Sequence, residues 1–101
     1  MVVKTKIKNN NLCIYLEGEL DHSVATKLRA DIDDYLDRIN VRNVVFDMEK
    51  LSFMDSTGIG LIMGRYKKLK ARNIPIYITK PNTQIDKVLR VSGIYKIIPQ
   101  I

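Results

Sequence analysis

An acid, two hydroxyls and two glycines stand together at Asp55-Ser56-Thr57-Gly58-Ile59-Gly60. Ahead of them Val44-Val45-Phe46 reads as a buried strand, and Leu51-Ser52-Phe53-Met54 carries the chain on to the acid. Behind them Ile59, Ile62, Met63, Tyr66 and Leu69 recur at helical spacing. The cluster therefore sits where a loop enters a helix. A helix start has unpaired N–H groups and about half a unit of positive charge. A hydroxyl there is exposed, and a phosphate added to it is tolerated by the helix end. Ser56 is accordingly read as a phosphorylation switch. The competing reading is an ordinary N-cap serine, worth about 0.5–2 kcal/mol to the helix. Asp55 either contacts the modifying partner or orients the serine, the plainer reading being a helix-start carboxylate favoured by the dipole.

The glycines of this segment need a reason, because glycine within a helix costs up to about 1 kcal/mol against alanine. Gly58, Gly60 and Gly64 fit either a smooth surface for a partner or close packing of the helix on its own sheet, with Gly58 assigned to the interface. His22 is the single histidine. Together with Asp21 and Ser56 it has the composition of a hydrolase triad, but Met54-Asp55-Ser56-Thr57-Gly58 is not the G-x-S-x-G elbow. A loop histidine beside a helix cap is the plainer assignment. The chain has no phosphate-cradling G-x-x-x-x-G-K-[ST], no paired acids at matched spacing and no metal-ligand cluster. No enzyme, cofactor or metal site is expected. Cys13 on a strand is assigned to packing, as are Tyr35 and Tyr66 on apolar helix faces.

At 101 residues the chain fits one domain, residues 1–101. Its formal charge of +6 raises the question of nucleic acid. Lys4, Lys6 and Lys8, however, alternate on one strand face, and Arg65, Lys67, Lys68, Lys70 and Arg72 crowd a helix end whose dipole favours cations. Without a zinc spacing, an arginine-rich tail or an aromatic-studded strand, no direct nucleic-acid binding is expected. An acidic protein partner suits the same charge. No segment approaches the roughly 20 apolar residues of a membrane span. Met1 to Lys6 alternates like a strand rather than resembling a signal peptide, and one cysteine excludes an internal disulfide, so a cytosolic protein is expected.

The elements that position the cluster follow from periodicity. Val3 to Lys8 and Leu12 to Glu17 alternate as two strands, with Asn9-Asn10-Asn11 supplying a tight turn and Gly18 closing the second strand. Asp21-His22-Ser23 caps a helix bearing Leu28, Ile32, Tyr35, Leu36 and Ile39, with Asp33 and Asp37 on its solvated face. A third strand spans about Asn43 to Asp47, and the central helix about Thr57 to Arg72. Pro75 to Thr79 is a fourth strand. Asn82 or Thr83 starts a third helix, which Gly93 stops with Ile94 packing back. Tyr95 to Ile98 is expected as a short last strand. The resulting order is β-β-α-β-α-β-α-β, with strands three to five parallel and an antiparallel hairpin at the edge.

On these residues the chain resembles the STAS family, and within it bacterial anti-anti-sigma factors of the sporulation and general-stress type. The likeness is carried by Gly18-Glu19-Leu20-Asp21-His22, by Leu51 through Gly60, by Gly64-Arg65-Tyr66-Lys67 and by Ser92 through Ile98. It implies an α/β STAS fold, a mixed but mostly parallel sheet of four to five strands with helices packed on it. It also implies partner switching. Ser56 would be phosphorylated by an anti-sigma factor that is a serine kinase, the unmodified form would bind that kinase and release a sigma factor, and a phosphatase would restore it. The implied partner-binding residues are Asp21, His22, Asp55, Thr57, Gly58, Ile59 and Gly60. Thr57, often serine in relatives, is conceivable as a second acceptor. Sporulation-type relatives also continue into a last helix beyond the position of Ile101. A monomer is expected when free, since no helix shows a second apolar face.

Two rivals remain. In a response-regulator receiver Asp47 would take the phosphate, but Asn9-Asn10-Asn11 stands where an acidic magnesium cluster is required. A STAS scaffold or sensor that interacts without modification of Ser56 is the other, because a fold does not fix function.

Overall fold

Asn9 and Asn10 both take positive φ, 53° and 64°, so a two-residue turn joins β1 (Val2–Lys8) to β2 (Asn11–Leu20). Turns of this hand match the right-handed twist of an antiparallel hairpin, and asparagine reaches them at little cost. The computed structural model describes residues 1–101. After the hairpin come α1 (His22–Asp37), β3 (Asn43–Asp47), β4 (Leu51–Met54), α2 (Ser56–Lys70), β5 (Ile76–Thr79) and α3 (Thr83–Ser92). The sheet runs β1-β2-β3-β5, with β4 joined to the far end of β2. The hairpin is antiparallel and every other pairing is parallel. Alternate residues Leu12, Ile14 and Leu16 of β2, Val44 and Phe46 of β3, and Ile76 and Ile78 of β5 are buried against the helices. Leu28, Ile32 and Leu36 close over them from α1, and Leu61, Ile62 and Leu69 from α2. No helix is long and apolar enough to cross a membrane.

Three elements differ from the sequence expectation. Gly18 does not end the second strand: at φ 113° it forms an irregularity after which Glu19 and Leu20 pair with Phe53 and Met54. A residue with a side chain resists that φ, whereas glycine lets the strand re-aim and continue. Leu51–Met54 is itself a strand, which the pattern concealed because its buried residues, Leu51 and Met54, lie three apart. The expected last strand over Tyr95 to Ile98 is a 3-10 turn, Ile94–Lys96. Gly93 takes φ 79° as the α3 stop, and the N–H of Ile98 donates to the Ile94 carbonyl at 2.8 Å. That coil buries both isoleucines, and only Gln100 bridges to β5, at Ile78.

Charge holds α1 and α2 together. Asp33, expected on solvated surface, is half-buried against cations from α2, and Asp37, exposed as expected, meets one as well. The Arg65 Nε lies 2.8 Å from Asp33 Oδ1, and Lys68 Nζ lies 2.8 Å from Asp37 Oδ1. Arg65 is only 6% exposed. Burial lowers its pKa, the Asp33 carboxylate acts to raise it, and the positive charge of Arg29 lowers it further. Neither Arg65 Nε nor Nη1 makes an aligned hydrogen bond, so this contact is charge attraction. Arg72 adds directed bonds, donating to the carbonyls of Leu36 and Ile39 at 2.9 and 2.7 Å. Removing one partner of a buried pair leaves the other charge stranded, whereas replacing both with apolar groups is often neutral. Asp33→Ala should therefore lower stability by about 2–4 kcal/mol, and Arg65→Met/Asp33→Leu should recover most of it. Urea unfolding of the two variants checks this.

Candidate functional site

The site is built on one pairing: Leu20 of β2 lies parallel to Met54 of β4. Asp21 follows the first and Asp55 the second, so two helices begin beside each other at one end of the sheet. Each aspartate caps its own helix. Asp21 accepts from the Ser23 N–H at 2.9 Å and from the Ser23 hydroxyl at 2.6 Å. The hydroxyl bond chiefly holds the Asp21 carboxyl below its ordinary pKa. Asp55, with φ −107° and ψ −171°, accepts from the Thr57 N–H at 2.9 Å. The capping position of α2 thus belongs to Asp55. Ser56 becomes the first helical residue, and it is exposed.

The remaining predicted residues divide by direction. His22, Thr57 and Gly60 meet in a groove of about 360 Å³ between the starts of α1 and α2, together with Thr26 and Arg29. Ile59 is half-buried and packs on the core. Gly58, assigned by sequence to the partner surface, faces inward. A Cβ on it would lie 2.5 Å from Met54 Cγ and 3.1 Å from Leu20 Cδ2. Its bareness lets α2 rest on the β2–β4 pair. Gly60 and Gly64 have open space where a Cβ would stand. They leave the outer face of α2 smooth. Asp47, the acceptor in the receiver alternative, is buried and accepts from the Glu49 N–H at 2.9 Å, tying the turn into β4.

Sequence reasoning missed the group that holds the approach to Ser56. The Gln84 side-chain amide engages Met54 at both ends, its Oε1 accepting from the Met54 N–H at 3.2 Å and its Nε2 donating to the Met54 carbonyl at 2.9 Å. Asn82, which caps α3 by accepting from the Ile85 N–H, also donates to the carbonyls of Leu51 and Ser52. The N-terminus of α3 thereby stands in for a neighbouring strand along β4. Only the Asn82 cap had a sequence signal. Phe53, two residues before Asp55, is 39% exposed and adds an apolar side chain beside the site.

Residues 2–101 match the STAS domain family. An anti-sigma F factor antagonist of Paenibacillus polymyxa is 34% identical over 88 residues, covering 87% of this chain and 75% of the relative. The solved structure of the anti-sigma factor antagonist SpoIIAA in its unphosphorylated form superposes with a TM-score of 0.83 at 30% identity, covering 99% of this chain and 88% of that one. The phosphorylated form of SpoIIAA, described as a Bacillus cell fate determinant, superposes with a TM-score of 0.73 at 30% identity, covering 99% and 91%.

The two faces of α2 predict opposite responses to one methyl group. Gly58→Ala should destabilise by about 1–3 kcal/mol through overpacking on Met54. Gly60→Ala, with nothing to strike, should gain up to about 1 kcal/mol of helix propensity. Thermal unfolding of the two variants distinguishes these outcomes.

Proposed function

The chain belongs to the STAS domain family, and from that membership we propose that it is an anti-sigma factor antagonist whose docking surface is switched by phosphorylation of Ser56. One observation carries the reading: Asp55 takes the cap of α2, which leaves the Ser56 hydroxyl exposed at the helix start rather than spent on capping. The likeness to relatives named as anti-sigma factor antagonists, one solved in a phosphorylated form, supports it.

In this mechanism the partner is an anti-sigma factor that is also a serine kinase. The γ-phosphoryl group of ATP passes to Ser56 Oγ, the serine proton goes to a base of the kinase, and ADP leaves. The unmodified protein docks through the smooth face of α2 around Gly60, with Thr57 and His22 at its margin, and so frees a sigma factor. Asp21 and Asp55 hold the two helix starts that make up this surface. Gly58 and Ile59 act from beneath by seating α2. Phosphorylation adds about −1.5 to −2 charge at the first residue of α2. In the free protein the helix end and bulk water accommodate that anion. In the complex it must shed water against a surface that had met a neutral hydroxyl. An unpaired buried charge costs several kcal/mol, and each 1.4 kcal/mol weakens binding tenfold. The fold need not change for docking to fail. A separate phosphatase hydrolyses the ester and restores the active form.

Calorimetric titration with the cognate anti-sigma kinase tests the reading. Ser56→Ala should bind within a few-fold of the unaltered protein and accept no phosphate, whereas Ser56→Asp should bind at least about 100-fold more weakly. Equal binding of both variants, with no phosphate found on Ser56 by mass spectrometry, would support the alternative of a STAS scaffold that works without modification.

A further inference from the structure

Three strands of the sheet have an outer edge, and two of those edges are occupied. Along β5 the tail is bonded on, the Ile78 N–H donating to the Pro99 carbonyl at 3.1 Å and the Ile101 N–H to the Ile78 carbonyl at 2.9 Å. Along β4 the side chains of Asn82 and Gln84 take the backbone groups. β1 is different. It lies at the end of the sheet, pairs only with β2, and runs seven residues with exposed Val2 and Ile7.

We propose that β1 is the docking edge for an extended acidic segment of a partner protein, which joins the sheet as a further strand. Strand addition draws affinity from backbone hydrogen bonds and specificity from alternate side chains. Both requirements are present here. On the helix-free face Lys4, Lys6 and Lys8 form a row, and only Lys4 has an acidic partner, Glu17 at 3.3 Å. On the other face a groove of about 420 Å³ opens between β1 and α1, lined mainly by apolar residues such as Val3, Ile14, Leu28 and Tyr35, with the Lys27–Asp31 ion pair also in its wall. A strand alternating acidic and apolar residues places its carboxylates over the lysines and its apolar side chains toward the groove.

The lysine row also decides between occupants. A second copy of β1 paired antiparallel with its faces matched sets lysine opposite lysine in every register that pairs five or more of its seven residues, which is repulsive. Nucleic acid would satisfy the charge but neither the unpaired N–H and C=O groups nor the apolar groove. The residues lining this groove and those lining the groove at His22, Thr57 and Gly60 do not overlap, so the proposal stands or falls independently of the phosphorylation switch.

The test titrates the isotope-labelled full chain with a blocked seven-residue peptide alternating glutamate and valine. Chemical-shift changes should centre on β1 and the adjoining face of α1, and exchange should slow at those β1 amides that point away from β2. Lys6→Glu/Lys8→Glu, which keeps the Lys4–Glu17 bridge, should raise Kd by roughly tenfold, while Lys67→Glu on α2 should leave it unchanged. The matching lysine–valine peptide should not bind. The proposal is overturned by any of three results: no shifts at about 1 mM peptide, equal binding by a peptide N-methylated at alternate residues, or tighter binding of oligothymidylate at the same strand.

Discussion

Because Leu20 pairs in parallel with Met54, the residues that follow each of them leave the sheet at the same end and start helices beside one another. That register is set by the irregularity at Gly18, which turns the last residues of β2 toward β4. It is sealed by Gly58, whose missing side chain lets α2 settle onto Met54 and Leu20. Shift the register by one residue and every side chain on the strand changes face. The two helix starts would then no longer lie side by side, though each aspartate would still cap its own helix through a local bond. The meeting of His22, Thr57 and Gly60 in one groove therefore depends on the buried contacts beneath them.

The surface charge of the molecule has two distinct uses. The cations toward the end of α2 are largely engaged: Arg65 and Lys68 meet Asp33 and Asp37, and Arg72 binds carbonyls at the end of α1. They tie together the two helices that flank the candidate docking groove, which lowers the ordering cost of any docking there. The lysines of β1 have fewer internal partners and lie at an open edge. Cations paired with carboxylates cancel in the sum, so the net charge of +6 rests on cations such as Lys6 and Lys8 that have no acidic partner.

Helices and hairpin were legible because their signals are local. The capping aspartate of α1, the apolar spacing of Leu28, Ile32 and Leu36, the asparagine turn and the left-handed Gly93 each report on residues within a turn of themselves. The misreadings share a cause. Leu51–Met54 is a strand because β2 and α3 complete its hydrogen bonding, and Ile94–Lys96 coils because the core takes Ile94 and Ile98 from one side. Leu51–Met54 buries residues three apart, whereas the equally short β5 alternates and was legible, so without its neighbours β4 does not declare a strand.

At the site, residue types and their order were legible along the chain: an acid, a hydroxyl and a run of glycines at a helix entrance, in a pattern resembling STAS proteins. Tertiary structure decided which of them face outward. It turned Gly58 inward while leaving Gly60 bare, and brought Gln84 across from α3 to hold Met54. The physical reason is that a helix start fixes its own hydrogen bonds within a few residues, whereas burial depends on what the sheet and its neighbours place opposite, and that is written nowhere along a single segment.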